Sequence, residues 1–381
     1  MIFSPFPFSN HLKYDIIKKS NRGYLTGIFE IKKKLLGGSF SMKQLTIKDI
    51  AAQANVSTTT ISRFLNGKYD SMSLETKTRI EQIIKESGYR PNNIARSLKS
   101  KYSRLIGVII SDISNPFFST LLDTINQRAL KAGYSLLISI SNNSASSELK
   151  LLRKHLDNSV DGLLINTVGG NNEVISQISQ SLPVVLLDRD IEGLGLPVVT
   201  SNNRQLMEDI LLHLKEEQFD QVVLLTEALD TSSIRKLRAD AFQEICARLD
   251  FEGKVFEIEP KNRKQIEKLT AALVSKDRIT AFIAANTLVL QALLEQISKK
   301  GWQIGSDLGI VSFDDFPWSS FIGISSVQQD SVKIGSEAFK ILLNAINTDN
   351  ASGKKGSECE KIVPGRFHIR QSSINKKRLE P

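Results

Sequence analysis

Between Thr46 and Ser87 the apolar positions recur at steps of three and four, whereas from Leu105 onward they come in short unbroken runs. The two rhythms predict two kinds of structure, small helices first and buried strands after them. In the first stretch Ile47, Ile50 and Ala51 share a helical face, with Thr46 placed to cap it through its hydroxyl. Ala54, Val56 and Ile61 complete a small apolar cluster. Ser57 is placed to cap a second helix that turns Ile61 and Leu65 inward and Thr58, Thr59, Ser62 and Arg63 outward. Asn66-Gly67 ends that helix. Ser73 then caps a third, with Leu74, Thr78, Ile80, Ile83 and Ile84 as its stripe, Lys77, Arg79, Glu81 and Lys85 outside, and Gly88 as its stop. Asn93 to Ser100 is too short to hold a helix without support.

The long remainder alternates. Strands are predicted at Leu105–Ile110, Tyr134–Ile140, Gly162–Asn166 and Val184–Leu187, then at Val222–Leu225, Val255–Ile258, Ala281–Ala285 and Leu308–Phe313. Helices are predicted from Asn115-Pro116 to Gly133, at Glu148–Leu156, and near Arg235–Leu249, Lys264–Val274 and Leu288–Lys300. Such alternation makes parallel sheets covered on both faces. Two series of it predict two similar lobes, whose strand ends would enclose a ligand cleft.

Charge sharpens the division. The net charge of +9 is concentrated early: residues 1–41 hold 7 Lys/Arg against 2 Asp/Glu, and residues 42–104 hold 12 against 5. The remaining 277 residues are slightly acidic, with 31 against 34. A basic head on an acidic body is the footprint of a nucleic-acid reader joined to something else. The two cysteines and four histidines form no metal-ligand spacing, no disulfide framework and no His-based triad, which favours a reducing cytoplasm and no metal or cofactor. No run of about 18 apolar residues predicts a membrane span. Neither Gly-x-Gly-x-x-Gly after the first strand nor Gly-x-x-x-x-Gly-Lys-Ser/Thr occurs, so nucleotide sites are unsupported.

Small polar side chains at the start of a second short helix suit a helix laid into the major groove, with Arg63 as the long donor for a guanine edge. An ordinary αα-hairpin would also fit those helices alone. The wider order decides between them: Thr46-Ile47-x-Asp49-Ile50-Ala51, Ala54-x-Val56-Ser57-x-x-Thr60-Ile61-Ser62-Arg63, Leu65-Asn66-Gly67, Thr76-x-x-Arg79-Ile80, Gly88-Tyr89-x-Pro91-Asn92 and Ala95-Arg96-Ser97-Leu98. This module resembles the lactose repressor (LacI/GalR) family of bacterial transcription regulators. The resemblance implies a recognition helix carrying Thr58, Thr59 and Arg63, with Thr46, Ser57, Thr60 and Asn66 on phosphates or holding the turn. It implies a hinge helix, Asn93 to Leu98, that folds when two subunits meet on DNA, with Asn93, Ala95 and Arg96 beside a Leu98 that wedges into the minor groove and kinks the duplex.

Roughly 105–370 resembles, more loosely, the periplasmic binding-protein fold that the same family carries as its effector domain. Candidate cleft residues follow strands. Phe118, in Asn115-Pro116-Phe117-Phe118, is implied to stack on the effector, or else packs the helix start while Phe117 enters the core. Arg238, in Arg-x-x-Ala-Phe, offers a guanidinium fork for hydroxyls or a carboxylate. Asn286 and Asp314 end their strands, with Asp315 expected in solvent. Trp318 offers a flat face to a sugar or plugs the lobe interface. Asp188-Arg189 faces the ligand or bridges the lobes.

The expected fold is thus an α-helical helix-turn-helix DNA-binding domain plus an α/β two-lobed periplasmic binding protein-like effector domain. The expected segments are an extension, 1–41, of non-native or disordered character; the DNA-binding domain, 42–91; the hinge, 92–103; the ligand-binding domain, 104–370; and a basic tail, 371–381, with disorder expected at Lys376-Lys377-Arg378. Gly37-Gly38 would be encoded by successive GGN codons just before Met42, as a translated ribosome-binding site would be, so the natural start is expected at Met42. The expected function is a cytoplasmic, homodimeric repressor that binds double-stranded operator DNA under control of a sugar, sugar acid or sugar phosphate. The alternatives are a stand-alone sugar receptor and a purine- or nucleoside-responsive regulator. An enzyme is not expected, since no nucleophile-base motif appears.

Overall fold

The computed structural model describes residues 45–65, 67–70, 72–89, 102–275, 277–348 and 360–379. The chain divides into two compact units, Met1–Ser100 and Lys101–Pro381. The expected hinge residues Asn93, Ala95, Arg96 and Leu98, together with Asn66 and residues 1–41, lie outside the described residues.

The described part of the first unit is three helices: α1 (Ile47–Gln53), α2 (Thr58–Leu65) and α3 (Leu74–Ser87). Thr46 and Asp49 cap α1 reciprocally, the Asp49 amide donating to the Thr46 hydroxyl and the Thr46 amide to the Asp49 carboxylate at 2.7 Å. The turn to α2 is a Schellman motif: Asn55 takes the left-handed conformation at φ 49°, and the amides of Asn55 and Val56 donate to the carbonyls of Ala52 and Ala51. Ile50, Ala51, Ala54, Ile61 and Ile80 form the core, closed at its edge by Val56, Phe64, Leu65, Ile83 and Ile84. The stripe expected on α3 begins later than its sequence implies. Leu74 is 79% exposed and Thr78 is exposed, because both precede the turn of α3 that reaches α1 and α2.

The second unit holds two six-stranded sheets. The first lobe comprises β1 (Leu105–Ile110), β2 (Ser135–Ile140), β3 (Gly162–Ile165), β4 (Val184–Leu187), β5 (Val198–Ser201) and the late strand β11 (Glu360–Val363). Their order is β11-β5-β4-β3-β1-β2, all parallel. The second lobe comprises β6 (Gln221–Thr226), β7 (Glu252–Glu257), β8 (Thr280–Ala284), β9 (Leu308–Phe313), β10 (Ser325–Gln328) and β12 (Arg366–His368). Their order is β12-β10-β9-β8-β6-β7, with only β12 antiparallel. The two orders are superposable strand for strand, so β4 of one lobe corresponds to β9 of the other. Continuous apolar runs such as Leu105–Ile110 are buried on both faces by helices, as a parallel sheet requires.

The chain passes between lobes three times: after β5, after β10, and between β11 and β12. These passes touch. The Gly365 amide donates to the Asn202 side chain at 2.8 Å, and a Cβ on Gly365 would meet the Gln328 carbonyl at 2.8 Å, so only glycine fits there. The helix Ser331–Asn347 consequently returns to the first lobe, where Ile334, Ala338 and Leu342 join its core. The disorder expected at Lys376-Lys377-Arg378 is corrected: these residues lie in a 3-10 turn, Lys376–Leu379, whose Lys376 amide donates to the Gly305 carbonyl at 2.9 Å. Ser372, Ser373 and Asn375 are buried, Ser372 Oγ donates to the Ile310 carbonyl at 2.7 Å, and Arg378 reaches the Glu216 carbonyl at 2.8 Å.

Candidate nucleic-acid interface and ligand cleft

In the first unit the cap and core leave one face of α2 outward. Ser57 accepts from the Thr60 amide at 3.1 Å and bonds the Thr60 hydroxyl at 2.9 Å, which fixes the start of the helix. Ser57, Thr58, Thr59 and Arg63 are exposed while Ile61 is fully buried. Thr46 is also exposed, beside Asp49. At the far end the Gly67 amide donates to Phe64 and the Lys68 amide to Arg63, and Gly67 stands at φ 70°. Phe64 packs edge-on against Tyr69 at 5.8 Å, and Lys77 covers that ring at 4.2 Å. The result is a rigid helix start presenting short hydroxyls and one guanidinium.

In the second unit the carboxyl ends of the two sheets face one cleft. Its walls include Phe117, Phe118, Asn115, Asp188 and Arg189 from the first lobe and Glu227, Arg235, Arg238, Asn286 and Asp314 from the second. Asp188 and Asp314 follow the corresponding strands β4 and β9, and both take left-handed backbone, at φ 65° and 75°. That conformation turns each carboxylate off the end of its strand into the cleft. Burial pushes both carboxyls above the ordinary range, with Arg238 opposing the shift in each case.

Arg238 is 6% exposed. Its Nε donates to Asn203 at 2.8 Å, its Nη1 donates to the Ala285 carbonyl at 2.9 Å, and its plane lies 3.9 Å from the Phe313 ring. Burial draws its pKa down, and Asp188 and Asp314 hold it up. Asn115 connects the lobes. Its Oδ1 caps the helix Pro116–Lys131 through the Phe117 amide at 2.9 Å, and its Nδ2 donates to Asp314 at 3.2 Å. Gln329, on the second crossover, donates to the other Asp314 oxygen at 2.7 Å. Asn286 caps its own helix through the Val289 amide and donates to Glu227 at 2.6 Å, a carboxylate also held by Arg235. The free space between these walls is about 60 Å³, whereas small-ligand pockets run to roughly 300 Å³ or more.

Five of the six expected cleft residues, Phe118, Asp188, Arg238, Asn286 and Asp314, thus meet in one place. Phe117 lines the cleft as well as the core, edge-on to Phe118 at 5.2 Å. Trp318 is corrected: it stacks on Phe316 and lines a separate surface groove with Leu294 and Glu295, because the short helix Pro317–Phe321 turns it away from the strand end. Asp315 is corrected too. It is not solvated but pairs two-pronged with Arg370 at 2.7 and 3.2 Å. Asn115, Arg235, Glu227 and Gln329 were not picked out from sequence. Asn115 carried a visible signal, an Asn-Pro cap after a strand; the others depend on which loops the fold brings together. Among the described residues there is no His/Cys/Asp/Glu cluster suited to a metal ion, and no helix is long and apolar enough to cross a membrane.

A helix-turn-helix unit carried ahead of a two-lobed, binding-protein-like unit defines the class of ligand-linked transcriptional regulators. Residues 46–92 match the profile of the bacterial regulatory proteins of the lacI family, and residues 211–373 match a periplasmic binding protein-like domain. The HTH-type transcriptional regulator KdgR of Bacillus subtilis is 32% identical over 329 residues, 84% of this chain and 95% of that protein. The ribose operon repressor of the same organism is 31% identical over 307 residues, 79% of this chain and 91% of its own length. The chain belongs to the lacI family of bacterial transcriptional regulators. Its fold matches that of the lac repressor dimer bound to operator and the anti-inducer ONPF, with a TM-score of 0.74 at 22% identity, over 87% of this chain and all of that one.

Proposed function

We propose that this chain is a cytoplasmic, homodimeric repressor whose grip on a near-palindromic operator is set by a small carbohydrate-type effector held between its lobes. The observation that carries this reading is the convergence of an aromatic wall, Arg238 and the paired aspartates Asp188 and Asp314 in one interlobe cleft. Flat apolar faces beside fixed polar groups suit the C–H and O–H sides of a polyol. The name of the relative that represses a ribose operon supports a sugar-class ligand. Exposure of Thr58, Thr59 and Arg63 on one helix start supports base reading in the major groove. The lac repressor structure of matching fold is a dimer, which supports a second copy as partner.

Control comes from differential affinity. An effector that binds one lobe arrangement better than another shifts the balance by that difference, typically about 1–3 kcal/mol. Operator gel shifts, with and without a panel of sugars, sugar acids, sugar phosphates and nucleosides first ranked by thermal shift, test the proposal. A sugar-class compound is expected to stabilise the protein and change operator affinity; a nucleoside doing so alone, or no operator binding, would refute it. Leu98→Ala is expected to weaken specific binding and reduce DNA bending.

A further inference from the structure

Asp314 and Asp315 are neighbours in sequence with opposite duties. Asp314 follows β9 with left-handed backbone, at φ 75°. Its carboxylate stands in the cleft, accepting from Asn115 of the first lobe at 3.2 Å and from Gln329 on the second crossover at 2.7 Å. The Asp315 carboxylate instead lies back against β10 and the residues that follow β12, where Ser326 and Arg370 donate to it. A non-glycine residue keeps left-handed backbone only where its surroundings fix it.

Arg370 supplies that fixing. Its Nη1 donates to Asp315 Oδ1 at 2.7 Å and its Nη2 to Oδ2 at 3.2 Å. Nη1 also reaches the Ile324 carbonyl and the Ser326 hydroxyl, both at 2.6 Å. The Arg370 amide donates to the Ser325 hydroxyl at 2.7 Å, so the backbone bearing the fork is tied to the same strand. The pair is mostly buried, with 18% of the Arg370 side chain and 14% of the Asp315 side chain exposed. Burial alone would raise the Asp315 pKa, but Arg370 and Ser326 hold it below the ordinary carboxylate range. A two-pronged pair of this kind fixes direction as well as distance. Arg370 itself stands outside the cleft lining.

We infer that Arg370 is a positioning residue for the interlobe latch: by pinning Asp315 against the sheet, it holds Asp314 in the left-handed turn that presents its carboxylate to Asn115. The contact between the lobes thus depends on a guanidinium that touches neither Asn115 nor the cleft. The latch sets the population of the shut arrangement, and with it the apparent affinity of any ligand that prefers one arrangement. That consequence rests on the reading of the cleft as the effector site; the positioning role does not.

The test is a double-mutant cycle between Arg370 and Asn115 in the ligand-free, full-length protein, read by small-angle scattering and by urea unfolding. Arg370→Met should favour the open arrangement by about threefold to tenfold, as for loss of one hydrogen bond, and so enlarge the radius of gyration. Asn115→Ser should enlarge it to a similar extent, and the two together no further than either alone. In urea, Asn115→Ser should lower the midpoint less in the Arg370→Met background than in the wild type. Asp315→Asn should behave as Arg370→Met does, and Arg370→Lys should recover part of the wild-type radius. A single cooperative urea transition reports that a variant is folded; should Arg370→Met fail to fold, Asp315→Asn and Arg370→Lys carry the same cycle. An arginine that merely braces its own lobe would lower the urea midpoint without changing the radius of gyration. That result, or an equal effect of Asn115→Ser in both backgrounds, overturns the inference and leaves the effector-site reading intact. Conversely, failure of every sugar, sugar acid and sugar phosphate to bind would overturn the effector-site reading alone, because the cycle uses no ligand.

Discussion

Asn115 performs two separable tasks, and replacing it distinguishes them. Its Oδ1 caps a helix of the first lobe, while its Nδ2 donates across the cleft to Asp314 of the second at 3.2 Å. Loss of a helix cap costs about 1 kcal/mol. A hydrogen bond to a charged acceptor contributes about 1.5–3 kcal/mol, and the length of this one argues for the lower figure. Asn115→Ala should therefore destabilise the protein by about 2.5 kcal/mol. Asn115→Ser keeps a capping hydroxyl but cannot reach Asp314, so it should cost about 1.5 kcal/mol. Urea unfolding of both variants measures the difference directly. The latch also holds the lobes together, and its loss should favour the open arrangement by about tenfold. Small-angle scattering should record that as a larger radius of gyration for both variants. Equal stability of Asn115→Ser and wild type, with unchanged scattering, would show that the lobes do not depend on this contact.

Other consequences follow from buried groups. His155 is 1% exposed, bonds Ser139 at 3.1 Å and has no partner at Nδ1; burial draws its pKa from 6.5 to about 4. In that interval the unfolded chain binds a proton that the native one refuses, so up to about 3 kcal/mol present above pH 6.5 is lost as pH falls toward 4. His155→Gln should flatten the melting temperature between pH 7 and 5, and an undiminished slope would contradict this. Ile61→Ala removes a fully buried side chain from a five-residue core and should cost about 2–4 kcal/mol. It should abolish operator binding while the thermal shift given by the effector persists, and intact operator binding would show that the small core tolerates the cavity. The buried Cys246 thiol is pushed up to about 12, so it should resist maleimide at pH 8 until urea is added; rapid native labelling would contradict its burial.

Strands with continuous apolar runs were legible to within a residue or two, as at Leu105–Ile110, Val184–Leu187 and Leu308–Phe313. Those built of mixed residues were not. Val198–Ser201 and Ser325–Gln328 are four residues long, and the second is buried through hydroxyls: Ser325 bonds Ser373 and Arg370, and Ser326 bonds Asp315. The edge strand at Glu252–Glu257 begins earlier than its apolar core, because Gly253 lets it approach Cys246. Helices Asn203–Glu216 and Ser331–Asn347 follow the interlobe crossovers, which local periodicity does not reveal. The cleft was readable where a strand end carried its own residue, as with Asp188 and Asp314. Trp318 failed because a proline-started turn intervenes, and Asn115 and Gln329 needed the two lobes to be placed together.

The central claim is that the exposed start of Thr58–Leu65 reads DNA bases. Selection from random-sequence duplexes, followed by anisotropy titration, measures this most directly. The wild-type chain should enrich one near-palindromic sequence, and Arg63→Ala should lose about 1–3 kcal/mol of discrimination at one base pair in each half-site while keeping its non-specific affinity. Failure to enrich any sequence, or enrichment of the same sequence with the same affinity by Arg63→Ala, would contradict the account.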